Sequence, residues 1–303
     1  MKSGAIRFLM SGCLCGAWMM NTGASQLVMI ESIQPKTSKT VVEMTAEELK
    51  RHYSELSTLQ FNPDQGRLDF LLKNAGENIE IFFRDLANIS CKEKVHYLTT
   101  SKKSPFIRES HREFYYLILP RQAGFPWTED RVDKNGRPVQ NDPRFCISKG
   151  YAYTCVYLHP DHQKGSVFRC LGRDKKGAYV LAFAQKPEAG DYLTGFVNKA
   201  SGAEMQFLVQ GFVWLDSESR QITRMKTHML VPNSALMNQT TDIYYQETRF
   251  EKMSQSFWLP KEVTITWSFP AFICINQHKY SDFRLFSVEA NYILDKPQAK
   301  KPY

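Results

Sequence analysis

The segment MQFLVQGFVWLD, residues 205–216, has the alternating pattern that decides the fold. Apolar side chains recur there with a period of two, and the members of this series are Met205, Phe207, Val209, Val213 and Leu215. The other side of the segment mixes glutamine and aspartate with aromatic residues. Because successive side chains of a strand point to opposite faces of a sheet, the segment predicts a strand with one apolar and one partly hydrated face.

The chain around this segment repeats the pattern of a β protein. Val263, Ile265 and Trp267 alternate with polar residues in a second segment, and Asn135-Gly136 is typical of a hairpin turn. Aromatic residues, which favour strands, make up 13% of the sequence. From residue 91 onwards we predict an antiparallel sheet, with strands at residues 95–99, 111–119, 151–158, 166–171, 178–185, 205–215, 220–230, 243–250, 257–266 and 280–288.

Residues 45–88 have helical patterns instead. Thr45 followed by Glu48 forms a capping box, which predicts a helix reaching to about Leu56. A second apolar series occupies one helical face, and its members are Leu68, Leu71, Leu72, Ala75, Ile79, Phe82, Phe83 and Leu86. Gly76 within this series is either a helix end or a tolerated kink. The apolar face of these helices must cover part of the sheet.

These patterns predict an α+β fold, mostly β, in which a curved antiparallel sheet is capped on its apolar face by an N-terminal helical lid. We divide the chain into a signal peptide (1–25), a helical segment (26–90), an antiparallel β domain packed against it (91–294) and a short tail (295–303). The space between lid and sheet is either a filled core or an apolar cavity, and the alternation is compatible with both.

Residues 1–25 have the three regions of a secretory signal peptide. Lys2 and Arg7 provide the positive start, residues 8–20 are apolar, and small residues follow. We therefore expect cleavage near residues 24–26 and a periplasmic or secreted protein.

Two alternatives to this interpretation stay open. One is a buried N-terminal helix. The other is a lipoprotein anchored at Cys13, which is less favoured because Met10 fits a lipobox poorly and the cysteine comes too early in the apolar region. No apolar run reaches the roughly 18–20 residues that a membrane-spanning helix needs.

The cysteines have two interpretations. Cleavage would remove Cys13 and Cys15 and leave Cys91, Cys146, Cys155, Cys170 and Cys274. The sequence has no CxxC pair, so it predicts neither a zinc ribbon nor a thioredoxin-type redox site. In an oxidising compartment the five cysteines allow up to two disulfides and one free thiol. Alternatively, all five are small buried apolar side chains.

The formal net charge is +8, from 39 basic and 31 acidic residues. The basic residues are scattered among acidic ones and form no stripe interleaved with aromatic residues, so we expect no nucleic-acid partner. A weak attraction to anionic lipid headgroups, and with it peripheral contact with a membrane, is compatible with this charge.

Two stretches of the sequence support a resemblance. One is residues 211–224, with the letters GFVWLD followed by Gln221-Ile222 and Arg224, and the other is residues 258–263, with the letters WLPKEV. This strand–turn–strand pattern resembles that of LolA/LolB-like periplasmic lipoprotein carriers and their outer-membrane lipoprotein-sorting relatives. It is also similar to a group of uncharacterised exported bacterial proteins. The matching stretch covers roughly residues 205–290. The resemblance implies a half-barrel with a helical lid and an apolar cavity that holds acyl chains. The long middle section, residues 90–200, departs from the small carriers.

Catalytic motifs are absent from the sequence: there is no GxSxG elbow, HExxH, GxGxxG, GxxxxGK[ST] or EF-hand loop. The dense cluster of candidate metal ligands is His159-Pro160-Asp161-His162, in which His159 and His162 are weak candidates. Because third and fourth ligands are missing, we interpret this cluster as a solvated turn between strands. We accordingly predict no catalytic residue, no metal site and no cofactor.

The leading functional hypothesis is a non-enzymatic binding or carrier protein for a lipid-like or acylated ligand, such as a lipid or an acylated protein. The sheet residues expected to line its cavity are Phe207, Val209, Val213, Val263, Ile265 and Trp267. The helix residues expected to close it are Leu72, Ile79, Phe82 and Phe83. The same side chains are compatible with ordinary core packing. Two alternative functions are a cell-envelope protein-interaction module and a hydrolase without a recognisable motif.

Overall fold

The computed structural model describes residues 11–12, 39–62, 65–86, 88–103, 106–120, 127–139, 145–148, 150–190, 192–198, 204–251 and 253–286. The α-helices in these ranges are α1 (Ala46–His52), α2 (Leu68–Asp85) and α3 (Pro160–Gln163). Short 3-10 helices lie at Ser54–Leu56, Tyr153–Leu158 and Pro187–Ala189. The strands are β1 (Ser11–Gly12), β2 (Gln60–Phe61), β3 (Ile89–Ser101), β4 (Ile107–Pro120), β5 (Trp127–Val132), β6 (Ser166–Arg173), β7 (Tyr179–Gln185), β8 (Thr194–Asn198), β9 (Glu204–Phe207), β10 (Val209–Leu215), β11 (Ile222–Met229), β12 (Asn238–Arg249), β13 (Ser256–Ser268) and β14 (Phe272–Leu285).

Eleven of these strands form one large sheet in the order β2-β6-β7-β10-β11-β12-β13-β14-β3-β4-β5. Every neighbouring pair in it is antiparallel, and the sheet is curved without being closed. A second sheet has the order β1-β8-β9, with β1 parallel to β8. The predicted α+β, mostly β fold with an antiparallel sheet is confirmed.

Helix α1 begins where the capping box predicts. The Thr45 hydroxyl oxygen accepts a hydrogen bond from the Glu48 amide at 3.2 Å, and the Glu48 carboxylate accepts one from the Thr45 amide at 2.7 Å. These two bonds satisfy amide donors that otherwise lack partners in the first turn. Two basic residues, Lys50 and Arg51, lie in the last turn of α1, where they oppose the negative end of the helix dipole.

Helix α2 follows the predicted apolar series and continues through Gly76. A Cβ atom at Gly76 would lie 2.9 Å from the Gln163 side-chain nitrogen and 3.0 Å from Pro160 Cγ. A side chain at Gly76 would therefore press on α3, which packs directly against α2, and Gly76 does not end the helix.

The two helices cover opposite faces of the sheet, which contradicts the prediction of a single lid on one apolar face. The chain passes around a sheet edge between them, where β2 pairs with the edge-proximal strand β6. We call the smaller core the α1-side cluster; its members are Val41, Met44, Leu49, Tyr53, Leu56, Leu59, Leu171, Val180, Ala182, Phe212 and Trp214. The larger core, the α2-side cluster, contains Leu71, Ala75 and Ile79 of α2 together with the other face of the same strands.

This arrangement corrects the expectation for residues 205–216. Val209, Val213 and Leu215 share one face as predicted and belong to the α2-side cluster. The opposite face is also buried, because Phe212 and Trp214 pack beneath α1. Strand β10 is buried on both faces, so its second face is covered by the N-terminal segment rather than partly hydrated.

Residues 151–158 form a 3-10 helix at Tyr153–Leu158, so the strand predicted there is wrong. Nearly every side chain of this segment is buried, and the segment lies against α2. An apolar run without alternation is compatible with either a buried strand or a buried helix, and local sequence does not distinguish them. The following His159-Pro160-Asp161-His162 motif opens α3 instead of forming a plain turn.

The five cysteines beyond the N-terminal segment are buried and free of disulfides. In the described part of the chain, no helix has the length and apolar character needed to cross a membrane. Apart from Ser11–Gly12, the predicted signal peptide lies outside the described residues, and so does the predicted tail, 295–303.

Candidate functional site

All ten side chains predicted to form the ligand cavity lie in the α2-side cluster. Seven of them are buried within it, namely Ile79, Phe207, Val209, Val213, Val263, Ile265 and Trp267. Leu72, Phe82 and Phe83 are half-buried and pack against the same cluster. The structure thus brings the predicted lid and sheet residues together, with aromatic side chains of α2 between solvent and core.

A cleft opens along α2, between the helix and the ends of β11, β12 and β13. Its volume is about 40 Å³, which is room for a few water molecules. It is lined by Ala75, Asn78, Ile79, Ile81, Phe82, Cys155, Arg220, Gln221, Ile222, Tyr245, Ser256, Phe257 and Trp258. Of the predicted cavity residues only Ile79 and Phe82 line this cleft; the predicted sheet residues lie elsewhere in the cluster.

The walls of the cleft are aromatic. The ring of Phe82 lies 6.1 Å from that of Phe257, and Phe257 lies 6.1 Å from Phe250. Outside the cleft, one residue further along α2, the Phe83 ring stacks on Tyr153 at 5.4 Å and on His159 at 5.2 Å. Tilted and stacked rings of this kind form an apolar surface with favourable ring–ring contacts.

Two polar groups at the cleft lack hydrogen-bond partners among the described residues. The Tyr245 hydroxyl oxygen is buried without a partner. Burial raises the pKa of Tyr245 well above its ordinary value, and the nearby Cys155 and Glu129 add to the effect, so the hydroxyl keeps its proton. A buried hydroxyl without a partner costs about 1–3 kcal/mol, which a ligand oxygen could recover.

The second group is Arg220, whose Nε and one terminal nitrogen are buried without hydrogen bonds. Its guanidinium carbon lies 5.6 Å from the Phe70 ring and 5.3 Å from the Tyr179 ring. Arg220 has a backbone φ of 60°, an uncommon conformation for a residue with a side chain. The cleft therefore combines apolar walls with a cationic group and a buried hydroxyl.

Side-chain hydrogen bonds connect helix α2 to neighbouring turns and to α3. The Asn78 amide donates to the Ser219 carbonyl at 2.9 Å, and the Gln255 amide donates to Asp85 at 2.9 Å. On its other side, the Gln163 amide donates to the Leu72 carbonyl at 2.9 Å. Two of these partners, Ser219 and Gln255, lie in turns between strands, so α2 rests on loops and on apolar packing.

A buried ionic network lies deeper in the sheet and was not predicted. The Arg131 guanidinium pairs with both oxygens of Glu93, and His278 and the Tyr280 hydroxyl each lie 2.8 Å from Glu93 Oε1. Burial opposes the charge of Glu93, but Arg131 outweighs it and lowers the pKa of Glu93 to about 2. Burial lowers the pKa of His278, which is therefore neutral.

This network continues from His278 through Tyr151 to Ser148. The Tyr151 hydroxyl lies 3.1 Å from His278 Nε2 and contacts the Ser148 hydroxyl. A serine, a histidine and a carboxylate in series resemble the components of a nucleophilic site, but Ser148 is only 1% exposed. The network instead anchors residues 145–148 and 150–153 to the sheet. Its members are far apart in sequence, so no local signal could have predicted them.

The predicted weak metal candidates do not converge on a shared position. His159 Nδ1 accepts a hydrogen bond from the Asp161 amide at 3.3 Å, and its ring centroid lies 6.0 Å from that of His162. Burial lowers the pKa of His159. His159 thus acts as the N-cap of α3 and packs on Phe83.

Comparisons with known proteins were made at three levels. A scan against protein-family models found no match, and a search of curated proteins found none either. Among solved structures, the chain is similar to an outer membrane lipoprotein-sorting protein domain from Vibrio parahaemolyticus, with 11% identity and a TM-score of 0.36 over 70% of this chain and 91% of that chain. It is also similar to a DUF1329 family protein from Desulfovibrio piger, with 11% identity and a TM-score of 0.32 over 72% of this chain and 92% of that chain.

The resemblance to lipoprotein-sorting domains that the sequence predicted is thereby confirmed as a likeness. At these TM-scores the likeness adds no argument about ligand or mechanism.

Proposed function

We propose that this chain is an exported, non-enzymatic binding or carrier protein for a lipid-like or acylated ligand, which binds between α2 and the sheet. The observation that supports the proposal is the aromatic cleft along α2, with the unpartnered Tyr245 hydroxyl at its wall. Arg220 at the same cleft suits a carboxylate or phosphate group at the polar end of such a ligand.

A hydrocarbon chain enters only if α2 moves. The cleft holds about 40 Å³, whereas a cavity that takes up benzene measures roughly 150 Å³. Moving Ile79 and Phe82 away from the sheet costs at most about 3 kcal/mol for each side chain, and less for Phe82, which is half-buried. A chain of about eight methylenes recovers a similar amount at about 0.8 kcal/mol per methylene. Ligand binding and the opening of α2 are therefore nearly balanced for medium-length chains and favourable for longer ones.

The proposal is tested by titrating the purified protein with a fluorescent long-chain fatty acid. We expect saturable binding at one site, and affinity that increases with chain length. Trp258→Ala should weaken binding about tenfold, because the indole forms the sheet-side wall, whereas Trp258→Phe should retain most of the affinity.

The matched control is Phe61→Ala, because Phe61 is a half-buried aromatic residue that packs against the α1-side cluster. This variant should bind the fatty acid as the unmodified protein does. The absence of saturable fatty-acid binding by the unmodified protein would refute the proposal. Equal losses of affinity in Trp258→Ala and Phe61→Ala would also count against it, because they would reflect general destabilisation of the fold.

Export is a separate part of the proposal, and it rests on the positive, apolar and small-residue regions at the N-terminus. N-terminal sequencing of the protein recovered from cells should place the first residue near 25–27. Cleavage there removes β1 and leaves β8 paired with β9. A recovered chain that still begins at Met1 would contradict export by cleavage.

A further inference from the structure

Two histidines and a glutamate converge on the outer face of the sheet. The register of β3 and β4 places His96 directly opposite His111 and Leu98 opposite Glu109. Because alternate residues of a strand share a face, Glu109 and His111 point to the same side as His96. The ligand atoms of these three side chains all lie within 4.8 Å of one another.

One carboxylate oxygen is the centre of this cluster. Glu109 Oε1 lies 2.7 Å from His96 Nε2 and 3.3 Å from His111 Nε2. The two imidazole rings stack nearly parallel, with centroids 4.3 Å apart. Two ring nitrogens and one carboxylate oxygen thus face a common position.

Gln277 of β14 determines which nitrogen of His96 has the lone pair. The Gln277 amide oxygen lies 3.2 Å from His96 Nδ1. An amide oxygen only accepts hydrogen bonds, so Nδ1 carries a proton and Nε2 is the nitrogen available to a metal ion. A second partner that fixes the tautomer in this way is typical of histidines that bind metals.

The contact between His96 Nε2 and Glu109 is favourable only when a positive charge lies on or between these groups. His96 Nε2 is buried and makes no hydrogen bond of acceptable geometry, although the carboxylate oxygen is 2.7 Å away. A lone pair facing a carboxylate at this distance is repulsive unless a proton or a metal ion lies with them.

We propose that His96, Glu109 and His111 form a binding site for a divalent transition-metal ion, with zinc as the ion of choice. Imidazole nitrogens with one carboxylate suit zinc, which takes Zn–N distances of about 2.0–2.1 Å. His111 is exposed, with 71% of its side chain accessible, so its ring can turn towards an ion without disturbing the core. The fourth position faces solvent and would hold water.

This site is independent of the proposed ligand cleft. On β3, His96 lies on the exposed face, whereas the neighbouring Val95 and Tyr97 point to the buried one. Loss of zinc binding would therefore not affect fatty-acid binding, and either proposal can fail without the other.

The test is a zinc titration measured by calorimetry. It uses the full chain, purified without a polyhistidine tag and stripped of metal with EDTA. We expect about one zinc per chain. His96→Gln, Glu109→Gln and His111→Gln should each weaken binding at least tenfold, and Gln277→Leu should weaken it about tenfold through His96. Cobalt should give visible absorption bands that disappear in the same variants.

Two control variants separate a built site from general attraction of cations. Glu113→Gln removes an exposed carboxylate on the same face of β4, which pairs with Lys94 at 3.1 Å, and His162→Gln removes a histidine of the other candidate cluster. Both should leave zinc affinity unchanged. No stoichiometric binding by the unmodified chain, or equal losses in Glu113→Gln and Glu109→Gln, would overturn the proposal.

Discussion

The two faces of the large sheet differ in how completely they are sealed. On the α1 side, Leu49 and Leu56 are fully buried, and two contacts connect polar groups within that core. The Val41 amide donates to Gln210 at 2.8 Å, and Tyr53 lies within hydrogen-bond distance of His228. On the α2 side, half-buried aromatic residues border a cleft that contains an unpartnered hydroxyl.

Ion pairs strengthen the same contrast. Lys226 of β11 pairs at 2.5 Å with Glu55, which lies in the 3-10 helix that follows α1. Arg224 forms a two-pronged pair with Asp242 at 2.9 and 2.6 Å, and its guanidinium stacks 4.4 Å from Trp214. Helix α2 is instead connected by hydrogen bonds, from Asn78 to the turn residue Ser219, from the turn residue Gln255 to Asp85, and from Gln163 of α3 to Leu72. The comparison shows that one helix completes the core, while the other covers a surface that a ligand could share.

The largest expected difference between the two faces is in packing. Leu49→Ala should lower the free energy of unfolding by about 2–5 kcal/mol, because it leaves a cavity in a sealed core. Leu72→Ala on α2 should cost less, about 1 kcal/mol, because this side chain is half-exposed. Urea denaturation of both variants measures the difference. Equal losses would contradict the contrast between the faces.

The pH dependence of stability should also distinguish the α1 side from the α2 side. Burial, with a smaller effect from Lys226, lowers the pKa of His228 to about 3. The unfolded chain therefore binds the proton more readily, and stability present above pH 6.5 falls as the pH decreases towards 3. The slope contributed by this residue is up to about 1.4 kcal/mol per pH unit.

His228→Gln keeps an acceptor for Tyr53 and removes the titration. Urea unfolding between pH 7 and pH 4 should then show a shallower loss of stability than in the unmodified protein. The pKa values of Glu93 and His278 are also lowered by folding, so both groups make the fold more stable at higher pH. Part of the pH dependence of stability should therefore persist in the variant. An unchanged slope would show that His228 is not kept neutral by the fold.

Some of this architecture was predictable from local sequence and some was not. The capping box at Thr45 and the apolar series of α2 predicted both helices, because capping and helical periodicity depend on neighbouring residues. The alternation in residues 205–216 likewise predicted β10. The placement of α1 and α2 on opposite faces depends on how the chain crosses the edge at β2, and no local pattern encodes that crossing.

The same limit applies to the candidate sites. Ile79 and Phe82 were predicted at the ligand site because they belong to a periodic series. Tyr245 and Arg220 were not, since their significance comes from lacking partners in the folded chain. The cluster of His96, Glu109 and His111 depends on strand register across a hairpin, and a search for closely spaced ligands instead selected His159 and His162.

The smallest expected effect comes from a matched pair of tyrosines. Tyr53→Phe removes a hydroxyl that is paired with His228 and should lower the free energy of unfolding by about 1 kcal/mol. Tyr245→Phe removes an unpartnered hydroxyl and should be neutral or slightly stabilising, while weakening the binding of a fatty acid. Thermal denaturation of both variants gives the comparison, and a clear loss of stability in Tyr245→Phe would show that its hydroxyl has a partner in solution.

Binding of a hydrocarbon chain on the α2 side is the property on which the proposed function depends. The most direct measurement is mass spectrometry of organic extracts from the full chain purified from cells, alongside the Trp258→Ala and Phe61→Ala variants. We predict a co-purifying molecule with a long hydrocarbon chain in the unmodified protein and in Phe61→Ala, at a markedly lower level in Trp258→Ala. An unmodified protein whose extract contains no such molecule, and which takes up none when it is added, would contradict the account.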